Sequence, residues 1–229
     1  MASGNIRLAV IGCGNWSNRM HLPALKKLRG LEQAGFAGIC DLNEAAARAY
    51  AAELEAGEVC TDAAKMLARC KPDGVAVLVP PDFVGKVLET VIGLRVPFLV
   101  EKPPAPDGAT HRRLLELAGG LTHVVAYNRR HSPYIRQAVE WMQGVAIQAV
   151  SCHFSRHRRM DVFDTTAIHG IDTACYLAGA ALERLRVEIQ PAAGVTNYFL
   201  SGWTKAGTRM DILVTPNTAS ASEHYTLRG

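Results

Sequence analysis

The chain has 229 residues, enough for one large or two modest domains with a buried core, and its 48% hydrophobic and 20% charged content is ordinary for a soluble globular protein. A formal net charge of +4, scattered along the chain, is too mild to argue for nucleic acid. The polar opening carries no secretory pattern, no apolar run approaches a membrane span, and the six cysteines include no C-x-x-C pair; reduced thiols in a cytoplasmic protein are expected.

The first element is the stretch L-A-V-I-G-C-G-N-W-S. A strand over residues 7–12 runs into Gly12 and Gly14, as a buried strand does when it hands over to a phosphate-cradling turn. In the dinucleotide fingerprint G-x-G-x-x-G the first glycine permits the turn, the second lets backbone approach the pyrophosphate, and the third lets the helix pack on the strand. Ser17 stands in the third place and is small enough for that packing. Asn15 and Trp16 lead into a helix predicted over residues 19–29, whose N-terminal N–H groups would face the phosphates. A second strand over 36–40 ends at Asp41, where an acidic residue meets the ribose 2′-hydroxyl. Its carboxylate would repel a 2′-phosphate, and no Arg or Lys immediately follows it, so NAD(H) is expected in preference to NADP(H).

Helices over 43–54, 63–69 and 83–93 alternate with strands over 74–79 and 97–100, the pattern of parallel βαβ units. Pro80 stops the strand before it on the expected cofactor side. After the run E-K-P-P-A-P-D-G comes a helix over 110–118 and an apolar segment over 124–127. Beyond it the pattern changes to longer strands over 145–154, 185–189, 196–203, 210–214 and 220–227, with one helix over 167–178. The expected architecture is an α/β dinucleotide-binding domain over 1–122, then an α+β domain over 123–229 built on an open antiparallel sheet.

Five segments carry a family resemblance: G-C-G-N-W-S with the following R-M-H-L-P-A-L, D-G-V-A-V-L-V-P-P, V-P-F-L-V-E-K-P, A-Y-N-R-R and I-H-G-I-D. They resemble the family of glucose-fructose oxidoreductase and inositol dehydrogenase (Gfo/Idh/MocA), NAD(P)-dependent sugar and polyol oxidoreductases. That resemblance implies a doubly wound Rossmann domain, a C-terminal open sheet with substrate bound between the two, and a homo-oligomer assembled through the sheet. It makes Lys102 the lysine that holds the reacting oxygen, with Glu101 orienting it or touching the cofactor, and His169 the general acid or base. An ammonium bonded to an oxygen that gains charge during hydride transfer stabilises the transition state above the ground state. Asp172, three residues past His169, lies on the same helical face, to orient it or to touch substrate.

Two departures accompany the resemblance. The family's usual Asp four residues before the histidine is Thr165 here, with Asp164 beside it, so either Asp164 or Asp172 supplies the charge that a hydroxyl cannot, or the proton relay is weakened. Family members also commonly run longer, so part of the sheet and its dimer face is expected to be missing.

Arg129, Arg130, Arg136, Arg156, Arg158 and Arg159 crowd one interval opposed there only by Glu140, which suits a carboxylate or phosphate on the substrate as well as a solvated surface. Asn128, Arg129 and Arg158 join Lys102 and His169 as candidate substrate contacts. His153 and His157 have helical metal-pair spacing but sit in an extended stretch without a third ligand, so no metal is expected. The expected activity is hydride transfer between nicotinamide and a CH–OH or carbonyl carbon of a sugar, polyol or sugar-derived molecule. The rivals are a double-bond reductase resembling biliverdin reductase and a non-catalytic dinucleotide sensor or interaction protein.

Overall fold

The strand-forming runs of the first half are short, apolar and β-branched, and they stack into one sheet because both faces find cover. A computed structural model describes residues 6–157, 163–192 and 195–229, all but the side chains of Asp164, Ala192 and Asn217. The chain divides into two units, one reaching to Ala126 and the other beginning at Tyr127.

In the first unit, β1 (Ile6–Ile11), β2 (Ala34–Cys40), β3 (Glu58–Cys60), β4 (Gly74–Val77), β5 (Phe98–Val100) and β6 (His123–Val125) form a parallel sheet in the order β3-β2-β1-β4-β5-β6. Along β1 the side chains alternate between two cores: Ala9 and Ile11 pack with Val77, Val100 and Leu88, while Val10 packs with Ile39, Tyr50 and Leu54. Both faces of a parallel sheet are thus buried, as its helical crossovers require. The helices are α1 (Leu22–Gly30), α2 (Glu44–Leu54), α3 (Ala63–Cys70), α4 (Pro81–Gly93) and α5 (Gly108–Ala118). Asn43, Asp62 and Asp107 cap α2, α3 and α5 by accepting from backbone N–H groups of the first turn, and Pro81 opens α4 where no N–H is needed.

Two local differences from the sequence reading have simple causes. The three-residue β3 is too short to show a period, and β6 pairs with β5, so the chain leaves the parallel sheet after Ala126 and not at 122. The helix after the glycine turn is not uniform: Ser17–His21 is a π-helical turn in which Leu22 N–H reaches back to Ser17 O, and α1 continues from it.

The second unit contains a five-stranded sheet in the order β11-β7-β10-β9-β8, from β7 (Ala149–His157), β8 (Leu182–Ala192), β9 (Val195–Thr204), β10 (Arg209–Thr218) and β11 (Ser222–Arg228). The sheet is mixed: β7 and β10 run parallel, and the other pairs are antiparallel. A helix the sequence reading missed, α6 (Pro133–Trp141), fully buries only Ile135, so its apolar stripe is narrow. The helix α7 (Phe163–Ala178) lies on one sheet face, burying Ala167, Ala174 and Leu177 against Phe154, Met210 and Ile212. Gly170 permits that approach, because a Cβ there would stand 3.0 Å from Ile212 and 3.1 Å from Phe154. All six cysteines are free thiols, and among the described residues no helix is long and apolar enough to cross a membrane.

Candidate active site

The sheet order reverses between β1 and β4, and the segments leaving both strands meet there. Gly12 has φ +103, and a Cβ on it would lie 2.6 Å from Leu78 O, so no other residue fits the crossing. Ligands of such sheets bind outside the strand ends at this switch point. Gly14 is exposed, with nothing within 4 Å of where its Cβ would be, which leaves its backbone open to a ligand. Asn18 N–H bonds Gly14 O at 2.9 Å, so the N–H groups of Asn15, Trp16 and Ser17 precede the first helical bond. Ser17 is buried, and its hydroxyl donates to Tyr50 Oη at 2.9 Å, tying the turn to α2.

Asp41 stands at the end of β2 as expected, but its carboxylate is already part of the turn: Oδ2 accepts from Cys13 N–H at 2.7 Å and Oδ1 from Asn43 N–H at 2.8 Å. A carboxylate has about four lone-pair sites, so both oxygens keep capacity for ribose hydroxyls. Burial, then the Asp41 charge, pushes the Cys13 thiol up to about 12, and burial does the same for Cys40, which keeps both as inert packing groups. An open Gly14 backbone, unladdered N–H groups and a fixed carboxylate are the donors and acceptor that a dinucleotide requires, and the turn fits one. Pro80 is exposed at the start of α4 on this side.

Beside the turn, Glu101 follows β5 and is held by three donors. Its Oε1 accepts from Trp16 Nε1 at 3.0 Å and His21 Nε2 at 2.6 Å, and its Oε2 from Lys102 N–H at 3.1 Å. Burial raises this carboxyl's pKa, but the bonds from His21 and Trp16 outweigh burial and leave it below the usual range. Lys102 Nζ lies 5.9 Å from the centre of the Trp16 ring. The sequence assigned no role to His21, because a residue five beyond Trp16 is not its neighbour on an α-helix.

In the second unit, His169 sits on α7, 7% exposed. Arg129, on a short 3₁₀ turn (Asn128–His131), points Nη1 at His169 Nε2 at 3.2 Å and at Asn128 Oδ1 at 2.9 Å. A guanidinium only donates, so Nε2 is the accepting nitrogen and the ring proton belongs on Nδ1. The rest of the Arg129 fork grips Glu223 of β11, with Nη2 2.6 Å from Oε1 and Nε 3.2 Å from Oε2; Arg156 Nη2 reaches the same Oε1 at 2.8 Å. Burial raises the Glu223 carboxyl's pKa, and the bonds and charges of Arg129 and Arg156 bring it down to about 2. Tyr225 Oη also donates to Glu223, at 3.0 Å.

Both oxygens of Asp172 bond Arg130, by Nε at 2.8 Å and by Nη2, because the arginine reaches it from the 3₁₀ turn. Within the arginine cluster, Arg129 and Arg156 share Glu223, and Arg130 pairs Asp172. Glu223 carried no sequence signal, being a lone acid in the last strand. Thr165 lies in the first turn of α7, half-buried. Arg158, Arg159 and the Asp164 side chain lie outside the described residues. His153 and His157 bond Thr215 Oγ1 and Thr218 O, and no three metal-binding side chains cluster among the described residues.

The model of the Gfo/Idh/MocA family, described as an oxidoreductase family with an NAD-binding Rossmann fold, matches residues 6–129. The chain is 29% identical over 131 residues to D-glucoside 3-dehydrogenase of Escherichia coli, 57% of this chain and 36% of that protein. It is 24% identical over 204 residues to inositol 2-dehydrogenase 4 of Saccharopolyspora erythraea, 82% of this chain and 58% of that one. It therefore spans less than two thirds of either relative's length. Among solved structures, myo-inositol dehydrogenase from Lactobacillus casei, in complex with NAD(H) and myo-inositol, superposes with a TM-score of 0.86 over 99% of this chain and 72% of that chain, at 18% identity.

Proposed function

The chain belongs to the Gfo/Idh/MocA oxidoreductase family, and from that premise we propose that it is a cytoplasmic dehydrogenase moving hydride between NAD(H) and a CH–OH carbon of a polyol or sugar. The observation that carries this reading is the clamp on Glu101, which ties the glycine turn to the backbone of Lys102, so that the cofactor turn and the substrate lysine form one construction.

Gly12, Gly14 and the N–H groups from Asn15 to Ser17 hold the pyrophosphate, and Asp41 the ribose 2′-hydroxyl, which favours NAD(H) over NADP(H). The bound nicotinamide supplies the hydride acceptor for oxidation and the donor for reduction. Lys102 donates to the substrate oxygen and stabilises the negative charge that grows on it. His169, with Nε2 as its accepting nitrogen, takes the hydroxyl proton, and Arg129 must yield that nitrogen to the substrate when it does so. Asn128 and Arg129 border the substrate on the same side.

The names of the relatives support a polyol or glycoside as substrate. The test is nicotinamide absorbance with NAD and a panel of myo-inositol, methyl glucosides and free hexoses, beside fluorescence titrations with NADH and NADPH. Turnover of one panel member with tighter NADH binding is expected. Tight NADH binding with no turnover of any polyol, glycoside or hexose would leave a dinucleotide sensor, and tighter NADPH binding would remove Asp41 from its role.

A further inference from the structure

The π-helical turn Ser17–His21 has a geometric consequence for the neighbouring Glu101. An α-helix turns about 100° per residue, which would set side chains five apart roughly 140° from each other. A turn closed by an i→i+5 bond stacks them instead, and single π turns inside helices recur at functional sites. Here Leu22 N–H bonds Ser17 O, and Trp16 and His21, five residues apart, both reach one oxygen, Glu101 Oε1, at 3.0 and 2.6 Å. With α-helical spacing only one of them would face it.

The three donors leave Glu101 little freedom. Oε1 is filled by the indole and the imidazole, and Oε2 accepts the backbone N–H of Lys102. The side chains of His21 and Glu101 are 20% and 14% exposed, so water competes weakly for the bond between them. A carboxylate needs compensating donors when buried, and this one has them from two distant parts of the chain. The Lys102 peptide, from which its ammonium projects, is thereby tied to the helix that starts at the glycine turn.

We propose that His21 is a positioning residue: the π turn brings it beside Trp16, and together they fix Glu101 and, through its second oxygen, the Lys102 backbone. The proposal rests on the dehydrogenase reading only for its effect on turnover, since the clamp is a property of the first unit by itself. In this role His21 acts through Glu101 and not directly on substrate or cofactor. Its effect is on where Lys102 stands, and misplacing a reactive group by about 1 Å costs up to about 100-fold in rate.

Two variants of the full chain separate the possibilities. His21→Leu keeps apolar bulk but removes the donor, whereas His21→Gln restores an N–H near the Nε2 position. Hydrogen exchange of the Lys102 amide and the Trp16 indole, followed by NMR, reads the clamp without any activity. In His21→Leu both should exchange roughly fivefold faster or more, with His21→Gln close to the parent. With NAD and myo-inositol, or whichever panel member is turned over, kcat should fall about 10- to 100-fold in His21→Leu, the KM for NAD staying within about threefold, and His21→Gln should recover most of it. Unchanged exchange at the Lys102 amide in a folded His21→Leu overturns the positioning role whatever turnover does. Accelerated exchange in a protein whose parent turns over no panel member upholds the clamp and removes the dehydrogenase reading instead. A rise in KM for NAD with unchanged kcat would make His21 part of the cofactor turn and refute its action on Lys102.

Discussion

Each unit holds its candidate reactive side chain through a part-buried glutamate, and the two glutamates are held by different chemistry. Glu101 is bonded by an indole, an imidazole and a peptide N–H. Glu223 is bonded by two guanidinium groups, both permanently charged. Burial disfavours both carboxylates, yet both are lowered, Glu223 to about 2 by its two arginines and Glu101 by the bonds from His21 and Trp16. A clamp of largely neutral donors sets position at little electrostatic commitment. An ionic clamp makes the local fold depend on a carboxylate staying charged.

The largest expected effect tests the division of labour between the two units. Lys102→Met should lower kcat about 1,000-fold, leaving NAD(H) affinity within about threefold, if the ammonium acts on the substrate oxygen as proposed. His169→Ala should cost about 100-fold, since water can partly replace a proton acceptor. Steady-state kinetics beside NADH fluorescence titrations check both, and equal losses from the two variants would erase the distinction.

Stability should divide the other way. Glu223→Gln leaves two guanidiniums facing each other without a counter-charge and is expected to cost about 3 kcal/mol, whereas Glu101→Gln, which keeps an amide oxygen able to accept a hydrogen bond, should cost about 1 kcal/mol. Urea unfolding of the two variants measures the difference, and a larger loss at Glu101 would break the comparison.

Within the first unit, binding and stability separate at neighbouring glycines. Gly14→Ala meets open space and should keep its melting temperature while NADH affinity falls about tenfold, since the new methyl would stand in the proposed path of the pyrophosphate. Gly12→Ala drives its Cβ into Leu78 O at positive φ and should lose both. A normal NADH affinity in Gly14→Ala would move the cofactor away from this turn.

The smallest effect concerns acid. The Glu223 carboxyl is lowered from 4.5 to about 2 on folding, so its contribution is complete above pH 4.5 and is lost as pH falls toward 2. Moving from pH 4.5 to 3.5 should remove about 1 kcal/mol from this one group. The slope of urea stability against pH should flatten over that window in Glu223→Gln, and an unchanged slope would show that the arginines do not hold the charge.

Much of the first unit was legible in the sequence because its signals are local. Gly12 and Gly14 follow an apolar run, Asp41 ends the next one, and Lys102 sits in a motif that resembles a known family, each readable within a few residues. The sequence by itself therefore determined the parallel α/β unit and its glycine turn, and the family resemblance singled out Lys102 and His169. It did not reveal β3 or α6, one too short and the other too thinly apolar to carry a period. Only the tertiary structure decided which charges meet. Glu223 lies 94 residues from Arg129, and Asp172 lies 42 residues from Arg130, so neither pair leaves a mark in local composition. The same holds for His21 and Glu101, 80 residues apart and joined only because a π turn rotates the imidazole onto the carboxylate. Backbone periodicity and turn chemistry act over one or two turns of chain and are written there, whereas the partner of a buried charge is chosen by whichever strand or helix the fold brings alongside.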